Sequence, residues 1–385
     1  MTGNSKRELL EAICPRYRRA NKVEKTCILD EFVAITGYHP SGTYFGRKHA
    51  IRLLKHGVKK PKRKKRGRPK VYTGEVISAL IKIWKVCECI CSKRLHPFLP
   101  EMMAVLEREE ELALSVKAKR LLLQISPATI DRCLRRVSRQ RGRGLSTTKP
   151  GTLLKQAIPI RTFADWDEAC PGFVEMDLVA HCGDSTHGEY LNTLNVVDVS
   201  TGWSECPVLA NRSQREVSAA IERLRERLPF PLLGIDSDND SAFINDNLYH
   251  YCQQEEITFT RSRPYKKNDQ AHVEQKNWSV VRRLIGYERY ESDEALTLIR
   301  AIYQDWRLYV NFFQPVLKLV EKRRVGSKVQ KRYDTARTPY QRVLESPNVS
   351  KEDKERLRQI YFTLNPVVLR QRIDENLEGL WNLAR

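Results

Sequence analysis

Apolar residues recur along the chain with two different periods, and the change of period divides it. Near the N-terminus the spacing is helical: Leu9, Leu10 and Ile13 form one stripe, and Ile28, Leu29, Phe32 and Val33, within Lys25 to Thr36, form a second. Gly37, Pro40, Gly42 and Gly46 interrupt the pattern before RKHAIRLLKHG resumes it as a basic helix. Helical spacing returns over 72–145 in VISALIKIWKV, EMMAVLEREEEL and ISPATIDRCLRRVSRQRGRG. There Ser126 is placed to cap a helix and Pro127 to occupy its first turn. The polar GLSTTKPGT that follows reads as a linker, assigned to 146–165.

Beyond the linker the period becomes that of strands. FVEMDLVAHC, YLNTLNVVDVS and GWSECPVLA predict three consecutive strands broken at Gly183, Gly188 and Gly202, and serial strands with short connections pair antiparallel. SQREVSAAIERLRERL predicts an amphipathic helix, LLGIDSD a strand, INDNLYHYCQQEE a helix and TFTRS a strand. Two closing helices complete an α/β domain over 166–312. The first starts near Asp269, which can cap it, and carries Val273, Val280, Val281 and Leu284 on its apolar side. Over 313–385 the chain is basic again, with Tyr333 and Tyr340 interleaved among Lys and Arg, before RLRQIYFTLNPVVLRQRIDENLEGLW returns to helical spacing. That region suits contact with DNA or with another protomer.

Charge changes this picture more than composition does. The 385 residues suit two to four domains, and a 41% hydrophobic share supplies real cores. A formal charge of +21 with a pI near 9.6 calls for a polyanionic partner, and nucleic acid is the simplest. With no run of eighteen apolar residues and no hydrophobic leader, the expectation is no membrane partner and a cytoplasmic, nucleoid-associated protein. Ten cysteines are scattered, and those in apolar contexts, for example Cys14, Cys27, Cys133, Cys206 and Cys252, read as reduced, buried small hydrophobes. The C-x-C-x-C cluster of Cys87, Cys89 and Cys91 lacks the paired C-x-x-C turns of a zinc site, which favours a structural reading over a metal one.

The basic segments have distinguishable forms. Over 1–57, two short helices, a break and a basic helix fit a helix-turn-helix DNA reader, with a plain structural bundle as the alternative. From Arg47 to Lys70 there are thirteen Lys or Arg and no acid. Such a run stays extended until phosphates neutralise it. Within its linker portion, 58–71, KRGRPK resembles an AT-hook, with Arg66 and Arg68 as minor-groove contacts, or is simply a basic tether. The 72–145 segment reads as a second helix-turn-helix from which Arg132, Arg135 and Arg136 project, or else as a charged face without sequence readout.

Candidate chemistry lies in the acids. The apolar run Leu232 to Ile235 empties into Asp236, Asp238 and Asp240, three carboxylates that raise one another's pKa unless a cation relieves them. They share strand parity, so alternation does not choose among them. Asp177 sits inside another apolar run, where an unpaired charge is costly. Glu274 lies in the first turn of the first closing helix, thirty-five residues beyond Asp238.

With its acids Asp177, Asp238 and Glu274, its thirty-five-residue spacer, the Asp238-Asn239 pair followed by Phe243, the segment SRPYKKNDQAHVEQKN and the Glu274-to-Asn277 spacing, the chain resembles the DDE transposases of the retroviral-integrase superfamily, of bacterial insertion-sequence type. The resemblance covers roughly 166 to 312. It implies a multidomain protein with an α/β ribonuclease H-like (integrase-type) catalytic core, N-terminal helix-turn-helix domains and a basic C-terminal region. In that core the first and fourth strands are neighbours, Asp177 and Asp238 meet, and the Glu274 helix closes over them. It favours Asp238 within the acid cluster and implies two Mg²⁺ or Mn²⁺ ions per site held by Asp177, Asp238 and Glu274.

The implied reaction is cleavage of insertion-element ends and transfer of the 3′-hydroxyl to target DNA, with no nucleotide cofactor, by a homo-oligomer bound to terminal inverted repeats and target DNA. Lys266, Lys267, Lys276, Asn277 and Arg282 are the expected contacts near the scissile phosphate. Two positions depart from the family: Asp240 and Ala242 stand where Gly and Glu are usual, and Asp240 is expected to strain a turn that prefers positive φ. A DNA-binding regulator lacking chemistry and a structure-selective ribonuclease H-like nuclease are the competing readings.

Overall fold

The computed structural model describes residues 3–36, 45–57, 71–135, 137, 170–262, 270–325 and 327–384. These form two compact units, Met1–Val71 and Tyr72–Arg385. In the first, α1 (Gly3–Arg19), α2 (Lys22–Thr36) and α3 (Phe45–His56) pack around Leu10, Tyr17, Phe32, Ala50 and Leu54. Asn21 starts α2: its Oδ1 accepts from the Val23 and Glu24 amides at 3.0 Å each, and the Glu24 carboxylate accepts from the Asn21 amide at 2.9 Å. This reciprocal cap satisfies donors that a helix start otherwise leaves open. Three helices with a basic third follow the expected order. Arg66 and Arg68 lie outside the described residues.

The second unit begins with α4 (Glu75–Val86), α5 (Ser92–Arg108), α6 (Val116–Leu123) and α7 (Pro127–Leu134). Helix α5 starts earlier than its sequence suggests, running through Pro97 and Pro100. Each interior proline costs a helix about 3 kcal/mol or more. Burial of Leu95, Phe98, Leu99, Met102 and Met103 offsets that cost. Pro127 occupies the first turn of α7 as expected, but the Ser126 hydroxyl bonds the Thr129 hydroxyl at 3.0 Å instead of capping the helix.

The sheet follows, as β1 (Phe173–Ala180), β2 (Asn192–Asp198), β3 (Ser204–Glu205) and β4 (Val208–Leu209), then helix α8 (Gln214–Arg225), β5 (Gly234–Ser237), helix α9 (Asp246–Gln254) and β6 (Thr258–Arg261). Its order is β3-β2-β1-β5-β6, with β4 also pairing β2. Strands β1, β2, β3 and β4 pair antiparallel, whereas β1–β5 and β5–β6 are parallel. This mixed α/β sheet, with the first and fourth predicted strands adjacent at its centre, is the ribonuclease H-like order that was expected. The third predicted strand is broken in two at Cys206-Pro207, because proline cannot donate to the ladder.

Two glycines let the central pair close up. A Cβ on Gly172, at φ +119°, would meet Pro231 O at 2.4 Å, and one on Gly234 would meet the Phe173 ring at the same distance.

Closing the sheet are α10 (Ala271–Lys276), a π-helical turn Asn277–Arg282, α11 (Arg283–Ile285) and the long α12 (Asp293–Phe313). Helix α12 acts as a spine. Its Asn311 bonds both the amide and the carbonyl of Ser204 at 2.9 Å, closing the edge strand β3. Trp306 Nε1 donates to Val280 O at 2.9 Å, and the Tyr309 hydroxyl donates to Val86 O. After it come a β-hairpin, β7 (Leu319–Val325) and β8 (Lys328–Tyr333), and helices α13 (Pro339–Glu345), α14 (Lys351–Thr363) and α15 (Pro366–Trp381).

The structure departs from three sequence expectations here. The 72–135 helices are not walled off from the α/β domain: one apolar cluster runs from Val76 through the sheet to Leu380. Glu101 joins them to the C-terminal helices by accepting from the Tyr361 hydroxyl at 2.9 Å. Tyr340, expected to contact DNA or another protomer, is 5% exposed and stacks on Tyr361 with ring centroids 4.8 Å apart. Cys27, expected to be buried, is exposed. No helix among the described residues is long and apolar enough to cross a membrane.

A polar chain locks β1 to β2 and α12. His181 Nε2 and the Thr193 hydroxyl are 2.7 Å apart, and the Thr193 and Tyr303 hydroxyls 2.8 Å. Burial, with the Arg282 charge, pushes the His181 pKa down to about 3. The folded protein therefore binds fewer protons here than the unfolded chain, so this contribution to stability is complete above the ordinary histidine pKa of about 6.5 and is lost as pH falls toward 3. Denaturant midpoints measured from pH 7 to pH 4 should show the advantage of the parent over His181→Gln shrinking steadily as pH falls. A constant advantage would exclude this linkage.

Candidate active site

The site grows from the β1–β5 pair. Parallel register sets Glu175 opposite Asp236 and Met176 opposite Ser237, so the next residues, Asp177 within β1 and Asp238 just past the end of β5, stand at the same level. Asp177 is half-buried, and its Oδ1 accepts from the Leu178 amide at 2.8 Å while Oδ2 accepts from Asn277 Nδ2. Asp238, also half-buried, accepts from the Asp240 amide at 2.9 Å through Oδ1.

Burial is the largest cause raising the pKa of both aspartates. Repulsion from Asp177 adds to the rise at Asp238, and the charges of Glu274 and Asp240 add to it at Asp177. The Asn277 and Leu178 bonds pull the other way. Glu274 itself lies exposed on α10, within electrostatic reach of Asp177 and Glu175. The fold therefore brings Asp177, Asp238 and Asp240 within electrostatic reach of one another, with Glu274 at the margin.

Two neighbouring acids serve the fold instead. Asp236 is 2% exposed, and its Oδ1 accepts from the Thr260 hydroxyl at 2.5 Å across the sheet. Glu175 is fully buried and accepts from the Val273 amide at 2.6 Å, holding the start of α10 against β1. A carboxylate at a helix N-terminus is favoured by the helix dipole. Burial nonetheless drives the Glu175 pKa well above the usual carboxylate range.

The two departures from the family pattern have local explanations. Asp240 is not among the residues with positive φ, so the expected strain is not present. Its Oδ1 accepts from the Ala242 amide at 2.9 Å, and Oδ2 lies 3.6 Å from Arg212. Ala242 is 3% exposed beside the fully buried Phe243, a position where a glutamate would strand its charge.

Sequence reasoning missed Asn195. On β2 it lies opposite Asp177, and its Nδ2 donates to Asn277 Oδ1 at 2.7 Å. Asn277 in turn donates to Asp177, so two amides in series hold one carboxylate. The only signal was an asparagine within the apolar run of a central strand, where an unmatched amide is costly.

The other anticipated contacts are dispersed. Lys266, Lys267 and Arg136 lie outside the described residues, as does Asp269, the expected cap. Lys276 is half-buried, its pKa lowered to about 8 by burial and by Arg94. Arg282 donates to Ala180 O at 2.8 Å and lies 4.8 Å over the Tyr287 ring, tying the π-helical turn to the end of β1. Arg132 and Arg135 are exposed at the end of α7, and Arg132 donates to the Thr129 hydroxyl at 2.7 Å. Cys87 is fully buried, its thiol pKa raised by burial, while Cys89 and Cys91 are exposed.

The donor chemistry suits a hard divalent cation, because two neighbouring carboxylates, both with pKa raised first by burial and then by nearby acids, are strained in the way such an ion relieves. Among the described residues, no group of three His, Cys, Asp or Glu already converges as a metal site.

Aspartates whose folded pKa lies above the unfolded value of about 3.9 destabilise the fold as pH rises through the folded pKa. Asp238→Asn should therefore melt above the parent at pH 8 in EDTA, by about 2–4 °C for each kcal/mol of strain removed, with the gap closing toward pH 4. Thermal melts at the two pH values check this, and equal melting temperatures at pH 8 would show that neither burial nor its neighbours strain the Asp238 carboxylate.

No family model matches the sequence. Solved structures with a likeness include the catalytic core domain of BIV integrase (18% identical, TM-score 0.28, 44% of this chain and 91% of that one) and the HTLV-2 integrase catalytic core domain in complex with magnesium (15%, 0.29, 38% and 91%). Another is the simian T-cell lymphotropic virus intasome in complex with PP2A regulatory subunit B56 gamma (16%, 0.31, 58% and 70%). Scores this low decide nothing about this chain. Much closer is the "Uncharacterized protein y4rM" of Sinorhizobium fredii (strain NBRC 101917 / NGR234), 44% identical over 328 residues that span 85% of this chain and 91% of the relative. Identity of that extent across both lengths shows that the chain belongs to the same family as y4rM.

Proposed function

We propose that the protein is a DDE-type DNA transposase, which cleaves the ends of an insertion element and transfers the freed 3′-hydroxyl to target DNA. One observation carries the reading: a parallel strand pair delivers Asp177 and Asp238 side by side, each pKa raised, with the charge of Glu274 acting on Asp177. Carboxylates kept close at such cost are characteristic of functional sites. The net charge of +21 supplies the attraction for DNA.

In this reading Asp177, Asp238 and Glu274 hold Mg²⁺ or Mn²⁺. A divalent cation held there supplies Lewis acidity to the scissile phosphodiester. Asn277 orients Asp177 by donating to one of its oxygens, and Asn195 fixes which way the Asn277 amide points. Glu175 and Arg282 hold the helix bearing Glu274 against β1. The three-helix unit and the exposed Arg132 and Arg135 bind terminal repeats, and 313–385 contributes DNA contact and assembly of a homo-oligomer.

A second reading, a DNA-binding regulator without chemistry, draws on Arg212, whose guanidinium stands 3.6 Å from Asp240 beside the acids. One assay separates the two. Purified protein with Mg²⁺ or Mn²⁺ should nick a labelled element end, taken from inverted repeats flanking the gene, and join it to a second duplex. Asp238→Ala should abolish joining, while Asp236→Asn should retain it, since the work of Asp236 lies inside the sheet. Binding without nicking would establish the regulator, nicking without joining a nuclease, and the reverse order of the two aspartates would overturn the assignment.

A further inference from the structure

The hairpin β7–β8 was not legible in the sequence, and it has no core of its own. All of its described side chains from Leu319 to Tyr333 are exposed, including Val320 at 55%, Val329 at 50% and Tyr333 at 48%. A two-stranded hairpin is marginal in water by itself. This one is clamped at its base instead. The Lys318 amide donates to Asp334 Oδ1 at 2.7 Å and the Asp334 amide to Lys318 O at 3.0 Å, while Arg342 pairs with Asp334 at 2.7 Å. Lys318 Nζ also donates to Ser200 O in the turn after β2, and the Lys318 charge is felt at His272, two residues before Glu274. The base of the ribbon thus lies within electrostatic reach of the start of the acid-bearing helix.

Its register sorts its residues onto two faces. Glu321 pairs with Arg332 and Arg323 with Gln330, while Arg324 pairs with Val329 and Lys331 with Lys322. Paired residues share a face and successive pairs alternate. One face therefore holds the ribbon's acid, Glu321, in an ion pair with Arg332 at 3.2 Å. The other holds Arg324, Lys331 and the apolar Val329 with no acid among them.

We propose that β7–β8 is a DNA ribbon that enters the major groove of the duplex with its Arg324–Val329–Lys331 face toward the bases. Strands of 7 and 6 residues reach about 20 Å, and a two-stranded ribbon fits a groove about 12 Å wide. Cationic side chains meet phosphates along the rims, and an exposed valine can meet a thymine methyl group. The inference deepens the DNA-processing reading by naming the element and the groove.

The test uses the full chain in EDTA, so binding is read without chemistry, and its failure leaves the strand-transfer assay to stand or fall separately. Affinity for a DNA duplex is measured by fluorescence anisotropy across roughly 50 to 200 mM salt. Arg324→Ala with Lys331→Ala should lower the slope of log affinity against log salt by roughly 2, about 0.9 for each phosphate no longer neutralised. Arg323→Ala with Arg332→Ala removes equal charge from the opposite face and should leave the slope near that of the parent. Dimethyl sulfate footprints should lose protection of guanine N7, the major-groove atom, only in the first variant. Equal effects from both pairs, unchanged N7 protection in the first variant, or an unchanged slope with a changed molar mass by light scattering would overturn the proposal, the last in favour of a second protomer as the partner.

Discussion

The close parallel approach of β1 and β5 is the constraint on which the rest of the molecule depends. It requires no side chain at Gly172 and Gly234, where a Cβ would meet backbone or ring atoms at 2.4 Å. It is sealed by the Gly172 carbonyl, which accepts from both the Leu233 and Gly234 amides, and by Asp198, which takes the Gly172 amide at 2.8 Å. Once the two strands lie in register, their next residues carry two carboxylates into one small volume. The sheet has in effect traded local electrostatic comfort for a fixed spacing of acids, and the surrounding apolar cluster supplies the stability that tolerates it.

Around that pair the structure builds stiffness in layers. The nearest layer is polar: the Asn195–Asn277–Asp177 chain, the Glu175 cap on α10 and the Arg282 clasp on Ala180. These run from strand to helix, and they bracket the π-helical turn Asn277–Arg282, which begins three residues after Glu274. Single π turns inside helices are strained and gather at functional sites. Behind them stands α12, whose Trp306, Tyr309 and Asn311 each satisfy a backbone group of a different element. The 72–135 helices and the C-terminal helices thus pack on one spine with the sheet that carries the acids.

Charge is organised on the same plan. A surplus of 21 positive charges is spread over the chain while the acids at the centre remain repulsive among themselves. Arg282, within electrostatic reach of Asp177, is engaged on backbone carbonyls, and Arg307 is paired with Glu205 on the edge strand at 2.7 Å. Exposed cationic residues lie on α7 and on the β7–β8 ribbon, where a polyanion would be attracted at long range under the proposed function.

The order of the strands across the sheet was an implication of the resemblance carried by the acids and their spacing. Periodicity alone was enough to foresee the strands and main helices of the α/β core, because the alternation in FVEMDLVA and the 3.6-residue spacing in SQREVSAAIERLR are local properties that survive folding. It also foresaw that Asp177 and Asp238 would be costly where they stand. Only the tertiary structure decided which of three parity-equivalent acids leaves the sheet beside Asp177, since that depends on β1–β5 register and on Thr260 claiming Asp236. Packing carried α5 through two prolines, merged the 72–135 helices with the core and turned Tyr340 inward, because apolar burial against distant residues outweighs local propensity. Asn195 and the ribbon stayed hidden for a related reason: an amide's partner on another element, and a strand whose mate lies across a tight turn, are pairings that a one-dimensional pattern does not contain.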